Sequence, residues 1–218
     1  FFVFFAASFF QVNTAAAQVL ARTAQNLLVA AEDQATAATR QGLLDLYCGV
    51  GAPGLLLAAH YTALLGLEQD AKAVRLAKIN AASYGKPHCR YKAGDAALQL
   101  ERLADCGPDE MWSTILMPEQ TAQDNGVADT YESEPCINAG ELYPTGTDAL
   151  VDPPRAGLSP RALNALLCIA PERILYISCN PSTLARDAAH ISKHYKLEAL
   201  AAVDLFPHTP HLECVSLW

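Results

Sequence analysis

The feature that most constrains this chain is an alternation of short apolar runs with helix-patterned segments. The run "LLDLYC" leads through "VGAPGLLLAAH", a tight turn into a helix with Pro53 near its first turn. "TALLGLE" follows, then "AKAVRLAKINAASYG", capped by Asp70 and stopped by Gly85, then "HCRYKAGD". Order resumes later with "DALVDPP", "SPRALNALLCIA", "RILYIS" and "PSTLARDAAHISKHY". Strands joined by helical crossovers run parallel, so the expected fold is α/β, a doubly wound and mostly parallel sheet. The final runs, "KLEALAAVDLF" and "HLECVSLW", predict a hairpin at one edge, with an antiparallel C-terminal strand. Ahead of the first strand, apolar residues at helical spacing predict a long helix from Asn13 to about Thr39.

A chain of 218 residues suits one sizeable domain with a real core. The alternation breaks between about 104 and 147, where the sequence is acidic and dotted with Gly, Pro, Asn and Asp; a flexible surface insertion is expected there. The net charge of −8 argues against a generally basic nucleic-acid-binding surface, though not against a local patch. Seven cysteines, an odd number with no zinc-type spacing, predict a reduced intracellular protein, cytoplasmic in the first instance, with nucleus or organelle left open. The opening "FFVFFAASFF" is too short to span a bilayer and reads as strand or interface, so no membrane association is expected. No metal site is expected either. His190 and His194 lack the glutamate of H-E-x-x-H, and His208 and His211 lack partner cysteines.

In open α/β sheets, ligands bind beyond the carboxyl ends of the strands. Polar or glycine-rich features stand at five such ends: Tyr47 to Gly54, Glu68, Asp95, Asp152 to Arg155, and Cys179. Gly49, Gly51 and Gly54 form G-x-G-x-x-G, and Glu68 follows at the end of the next strand. In that pattern the acid holds ribose hydroxyls and the glycines admit close backbone approach, which serves a nicotinamide dinucleotide or S-adenosylmethionine. In "VDPPRAGL" two prolines stiffen the strand exit and fix Asp152 and Arg155 in direction. Arg155 stands where amino-methylating enzymes carry an aromatic ring, which indicates a different chemistry. Cys179 admits two readings. It is either the last small apolar residue of a buried strand, or a thiol presented to a ligand with its pKa lowered by a helix N-terminus.

Together "SFFQVN", "LDLYCGVG", "GLEQD", "VDPPRAGL", "ILYISCNPSTLARD" and "DLFPHTPHLEC" resemble, in order and spacing, the RNA uracil-5-methyltransferase family. The tRNA (uracil-5-)-methyltransferases are the nearest likeness, through "DPPRAGL", "LYISCNP-TL" and the terminal "H-x-E-C". The resemblance implies a Rossmann-like S-adenosylmethionine-dependent methyltransferase fold, with Cys179 as nucleophile and Glu213 as base. It also implies that Gln11, Tyr47, Glu68 and Asp152, with Asp95 and the turn glycines Gly49 and Gly51, form the cofactor pocket. Where many members carry an asparagine this chain has Ala52 and Pro53, a departure that bears on one cofactor contact and not on the class.

Family members usually carry an N-terminal RNA-binding β-barrel, so residues 1–218 are expected to be the catalytic domain alone. The implied substrate is a uridine in RNA, transfer RNA first and ribosomal RNA second, extruded into the pocket. Phe9, Phe10, His208 and Arg155 are candidates to stack on or hydrogen-bond the base. A nicotinamide-dependent oxidoreductase is the competing reading of the glycine turn, and it leaves Cys179 and Asp152-Pro-Pro-Arg155 without a role. Oligomeric state is not legible.

Overall fold

The structure is a computed structural model that describes residues 14–30, 40–106, 146–204, 209 and 212–218. Helix α1 (Thr14–Ala30) precedes β1 (Arg40–Leu46), α2 (Ala52–Leu57), β2 (Tyr61–Glu68), α3 (Ala71–Ser83), β3 (Cys89–Ala93) and α4 (Ala96–Cys106). After residues 107–145 come β4 (Thr147–Val151), α5 (Pro160–Ile169), β5 (Arg173–Ser178), α6 (Pro181–Ile191), β6 (Ala199–Val203) and β7 (Glu213–Leu217). The expected insertion therefore falls mostly outside the described residues, as do Phe9, Phe10, Gln11, His208 and His211.

The seven strands form one sheet in the order β3-β2-β1-β4-β5-β7-β6. The first five are parallel, and β7 is antiparallel to both neighbours, β5 and β6. The two final strands do pair, but β7 lies inside the sheet and β6 takes the edge. Every residue of β4 and β5 is buried, the signature of strands covered on both faces. Alternate side chains serve opposite layers: Leu44, Leu46 and Val151 pack with Leu100, Leu163 and Leu166 of α4 and α5, whereas Leu43, Leu64 and Leu150 pack with Leu20, Leu55 and Val74 of α1, α2 and α3.

Local chemistry starts the helices, at Asp70 and Pro53 as the sequence predicts and at further caps that it did not single out. Asp70 accepts the Lys72 N–H and caps α3, Ser159 accepts the Ala162 N–H and caps α5, and a proline opens each of α2, α5 and α6. Helix α4 has no counterpart in the sequence reading, although its apolar stripe, Ala97, Leu100 and Leu103, is buried against the sheet. Cys168 on α5 is disulfide-bonded, against the expectation of a fully reduced chain. Such pairing follows tertiary proximity, which gaps between cysteines in sequence do not encode. Among the described residues no helix is long and apolar enough to cross a membrane.

At the amino ends of the strands a buried carboxylate of β4 ties that strand to three others, β1, β2 and β5. Asp148 of β4 accepts from Tyr61 Oη at 2.7 Å, from Arg173 Nη2 at 2.7 Å and from Arg40 Nη2 at 2.9 Å. Arg173 also donates to the Leu28 carbonyl of α1 at 3.0 Å, which fastens that helix to the sheet. Removing the carboxylate leaves two guanidinium groups without their shared buried anion. Asp148→Ala is therefore expected to lower stability by about 3–5 kcal/mol in urea unfolding, without change in the slope.

Candidate active site

The sheet order reverses beside β1: the chain passes from β1 outward to β2 and β3, then returns to lay β4 on the other side. Such a switch point leaves a crevice at the carboxyl ends of the two strands. The loops after β1 and β4 flank it, and they carry the glycine turn and Asp152-Pro-Pro-Arg155.

On the first side, β1 stops because Tyr47 takes a left-handed conformation, with φ 62°. A non-glycine residue held there costs about 1–3 kcal/mol, and such strain clusters at functional sites. Gly49 and Gly51 continue the turn at φ 53° and 83°. Glu68, at the end of β2, accepts the Gly49 N–H at 3.0 Å through Oε2 and the Asp70 N–H at 2.9 Å through Oε1. Asn80, wholly buried on α3, donates to the Val50 carbonyl at 3.0 Å and holds the turn from behind. Asp95, after β3, is exposed and accepts the Leu98 N–H at 2.9 Å at the start of α4. Burial pushes the half-buried Tyr47 hydroxyl up to about 12, and the carboxylates of Asp95, Asp187 and Glu68 add to the rise. Tyr47, Glu68 and Asp95 thus lie close enough to act on one another.

Beneath the turn lies Asp45, whose side chain is fully enclosed and makes no hydrogen bond through either oxygen. Burial raises its pKa well above the usual range and the Asp152 carboxylate raises it further; the Gly54 N–H, near but outside hydrogen-bond geometry, acts the other way. A Cβ at Gly54 would collide with Asp45, so that position accepts only glycine.

On the second side, Asp152 is half-buried and its pKa is raised to about 7, by burial first and then by Glu213. Glu213, the first residue of β7, is 5% exposed. Burial raises its pKa, and the Arg155 guanidinium draws it down. Cys179 is half-buried between β5 and α6. Its thiol is raised by burial, by Glu213 and by Asp152, against the pull of Arg155 and of its own backbone. This corrects the expectation that the helix N-terminus lowers the thiol pKa. Here α6 does begin at Pro181, but burial and two neighbouring acids outweigh its effect. The cysteine, the two acids and the arginine therefore form one electrostatically coupled group.

The residues that join this group to the fold were not legible as such. Asp187 accepts the Leu158 N–H at 2.8 Å and the Tyr176 O–H at 2.7 Å, and Arg186 donates to the carbonyls of Ala156 and Leu158, both at 2.9 Å. The sequence signal was an acid in the buried stripe of α6 and, for Asp45, an acid set between leucines in mid-strand.

The raised Asp152 pKa fixes a sign. The folded state holds the proton up to about pH 7, whereas an unfolded aspartate loses it near pH 4. Stability attributable to this group is fully present below that lower value and is lost as pH rises toward about 7. Asp152→Asn is expected to have a higher Tm than the unsubstituted protein at pH 8, with the difference shrinking toward pH 5 in thermal melts.

Residues 143–218 match the family described as tRNA (Uracil-5-)-methyltransferase. An RNA methyltransferase of Nitratidesulfovibrio vulgaris, itself uncharacterized, is 34% identical over 210 residues, 96% of this chain and 36% of that protein. The 23S rRNA (uracil(1939)-C(5))-methyltransferase RlmD of Acidithiobacillus ferrooxidans is 34% identical over 215 residues, 96% of this chain and 38% of that protein. The chain thus spans little more than a third of the length of these relatives. In fold it is similar to the Pyrococcus abyssi tRNA (uracil-54, C5)-methyltransferase solved with S-adenosyl-L-homocysteine, with a TM-score of 0.64 and 24% identity over 99% of this chain and 41% of that one. The METTL16 methyltransferase domain shares the fold at a TM-score of 0.57 and 12% identity, over 100% of this chain and 72% of that one. These matches lie on the segments that carry the glycine turn, Cys179 and Glu213, and over nearly its whole length the chain is similar to RNA methyltransferases, with residues 143–218 matching the tRNA (uracil-5-)-methyltransferase family.

Proposed function

We propose that this chain is the catalytic domain of an enzyme that transfers a methyl group from S-adenosylmethionine to C5 of a uridine in RNA, through a covalent bond between Cys179 and C6 of the base. The observation that carries the proposal is the strand register that sets Ser178 opposite Cys214 and so brings the adjoining Cys179 and Glu213 to the same end of neighbouring strands, where Asp152 and Arg155 act on them. Transfer RNA is the substrate of first choice, supported by the family matched over residues 143–218. Ribosomal RNA is the alternative, supported by the identity to the 23S rRNA enzyme. The single sheet into which all described strands close supports reading residues 1–218 as one domain, with about 104–147 as an insertion.

S-adenosylmethionine, when bound, supplies an electrophilic methyl group. Tyr47, Gly49, Gly51, Glu68, Asp95 and Asp152 would hold it, together with Gln11. The described residues fit that group. Each Glu68 oxygen accepts one backbone N–H and keeps acceptor capacity for a ribose hydroxyl. A Cβ on Gly49 would meet nothing within 4 Å, so the turn has open space on its outer side.

Uracil C5 is a poor nucleophile until the ring is activated. Addition of the Cys179 thiolate to C6 breaks the C5–C6 double bond and gives an enolate whose C5 can take the methyl group. Arg155, the cation acting on this thiol, favours its ionised form. The substituted C5 then still carries its proton. Glu213 takes that proton, the C–H electron pair restores the double bond, and the Cys179 thiolate leaves. A carboxyl group raised by burial is a stronger base than a free one, and Arg155 keeps it from being lost to protonation. Arg155 is exposed beside the crevice and is proposed, with Phe10 and His208, to contact the extruded base.

Glu213→Gln separates base from nucleophile, because attack and methyl transfer both precede deprotonation. Incubated with RNA and labelled methyl donor, it is expected to accumulate a denaturation-resistant protein–RNA complex carrying the label. Cys179→Ala, alone or combined with Glu213→Gln, should form none. Turnover of Glu213→Gln near the unsubstituted rate, or binding of RNA without adduct, rules out the assigned roles.

A further inference from the structure

Arg155 opposes the effect of burial on both Cys179 and Glu213, yet it lies exposed on the loop after β4. Its backbone is fastened to the neighbouring helix. The Arg155 carbonyl accepts from Asn180 Nδ2 at 3.1 Å and from Thr183 Oγ1 at 3.3 Å, a hydroxyl shared with the Asn180 carbonyl at 3.0 Å. Asn180 directly follows Cys179 and is the N-cap of α6, and Thr183 stands in the first turn of that helix. The rest of the loop is held by the next turn, through Arg186 on the carbonyls of Ala156 and Leu158 and through Asp187 on the Leu158 N–H. At Gly157, with φ 75°, a Cβ would come within 2.6 Å of Arg186 Nη2 and 2.7 Å of Asp187 Oδ2, so the loop passes too close to these helix side chains to carry one of its own there.

Capping alone does not require this arrangement. Asn180 caps α6 through Oδ1, which accepts the Ser182 N–H at 3.1 Å, and its Nδ2 is free for another task. Ser178 Oγ already receives the Asn180 N–H at 3.1 Å and fixes the strand exit. The donors turned toward Arg155 are additional to what the helix needs.

We propose that Asn180 and Thr183 are positioning residues: they hold the Arg155 carbonyl against the first turn of α6, so that the element presenting Cys179 also fixes the cation that acts on it. The inference deepens the proposed function, since it matters to catalysis only if Cys179 is the reacting thiol. The charged groups that act on this thiol are Glu213 from β7, Asp152 from the end of β4 and Arg155 from the loop beyond it. Of these, Arg155 alone favours the thiolate, and its loop alone is tied to α6 by these two side chains. Loss of the tie should therefore move the thiol toward its protonated form.

The test is the pH dependence of Cys179 alkylation by iodoacetamide, followed on the Cys179 peptide by mass spectrometry so that no other cysteine contributes. Asn180→Ser keeps an acceptor for the cap, and Thr183→Val keeps the shape without the donor. The double variant should be alkylated about threefold more slowly at pH 7 or slower still, with its rise displaced to higher pH. Arg155→Met should show the same displacement, and adding it to the double variant should change nothing further. Thr183→Val alone, which leaves the cap intact, should shift the profile less but in the same direction. An unchanged profile in the double variant, or full additivity with Arg155→Met, overturns the proposal; a lowered melting temperature with an unchanged profile shows a structural role only. This assay needs neither RNA nor methyl donor, so its failure is distinguishable from failure of the proposed reaction, which the Glu213→Gln adduct reports.

Discussion

Strands β1 and β4 lie side by side and parallel, yet the chain leaves them toward opposite faces of the sheet. From β1 it turns to α2, in the layer of α1 and α3; from β4 it turns to α5, in the layer of α4. Two diverging loops cannot close over the strand ends between them, and the crevice that results is where every candidate residue gathers. Burial of both sheet faces makes the crevice rigid, because β4 and β5 have no exposed residue through which to relax. The Asp148 cluster at the far end pins the same strands and sets their register from below.

Enclosure has an electrostatic consequence. Asp45, Asp152 and Glu213 are acids in a poorly solvated setting, and each is held above the ordinary carboxylate range. Proximity compounds the effect, since Asp152 acts on Asp45 and Glu213 acts on Asp152. In the proposed reaction this strengthens the base, Glu213, but disfavours the thiolate of Cys179. The opposing influence is Arg155, and the structure devotes several hydrogen bonds to the backbone that carries it. Where amino-methylating enzymes have an aromatic ring at this turn, an arginine here serves a thiol and a carboxylate instead.

Much of this was legible in the sequence for a definite reason. Parallel strands buried on both sides read as unbroken apolar runs, and their helices announce themselves through Asp70, Ser159 and the prolines that open α2, α5 and α6. Helix α4 escaped notice because it merges into a polar, acidic stretch, leaving Leu100 and Leu103 as faint markers. The placement of β7 inside the sheet was not legible either, since two strands in sequence pair equally well in either order. At the site, motif spacing indicated which strand ends matter, but not how the ends act on one another. The Cys179 pKa illustrates the gap: a helix N-terminus is visible in sequence, whereas the burial that chiefly raises the thiol, and the Glu213 carboxylate that adds to it from a strand more than thirty residues away, come only with the fold. Likewise Asn180 and Asp187 belong to the motif around Cys179, and only the fold reveals that their side chains face the loop after β4.

The central claim is that one thiol among seven cysteines bonds to the base. Fluorine at C5 cannot leave as a proton does, so RNA containing 5-fluorouridine should stall the reaction after methyl transfer. The decisive measurement is mass spectrometry of protease and nuclease digests of that trapped complex, formed in the presence of S-adenosylmethionine. The account predicts a methylated fluorouridine carried on the peptide that contains Cys179. The same mass on a Cys48 or Cys214 peptide, or no covalent species although methylation of ordinary RNA proceeds, would contradict it.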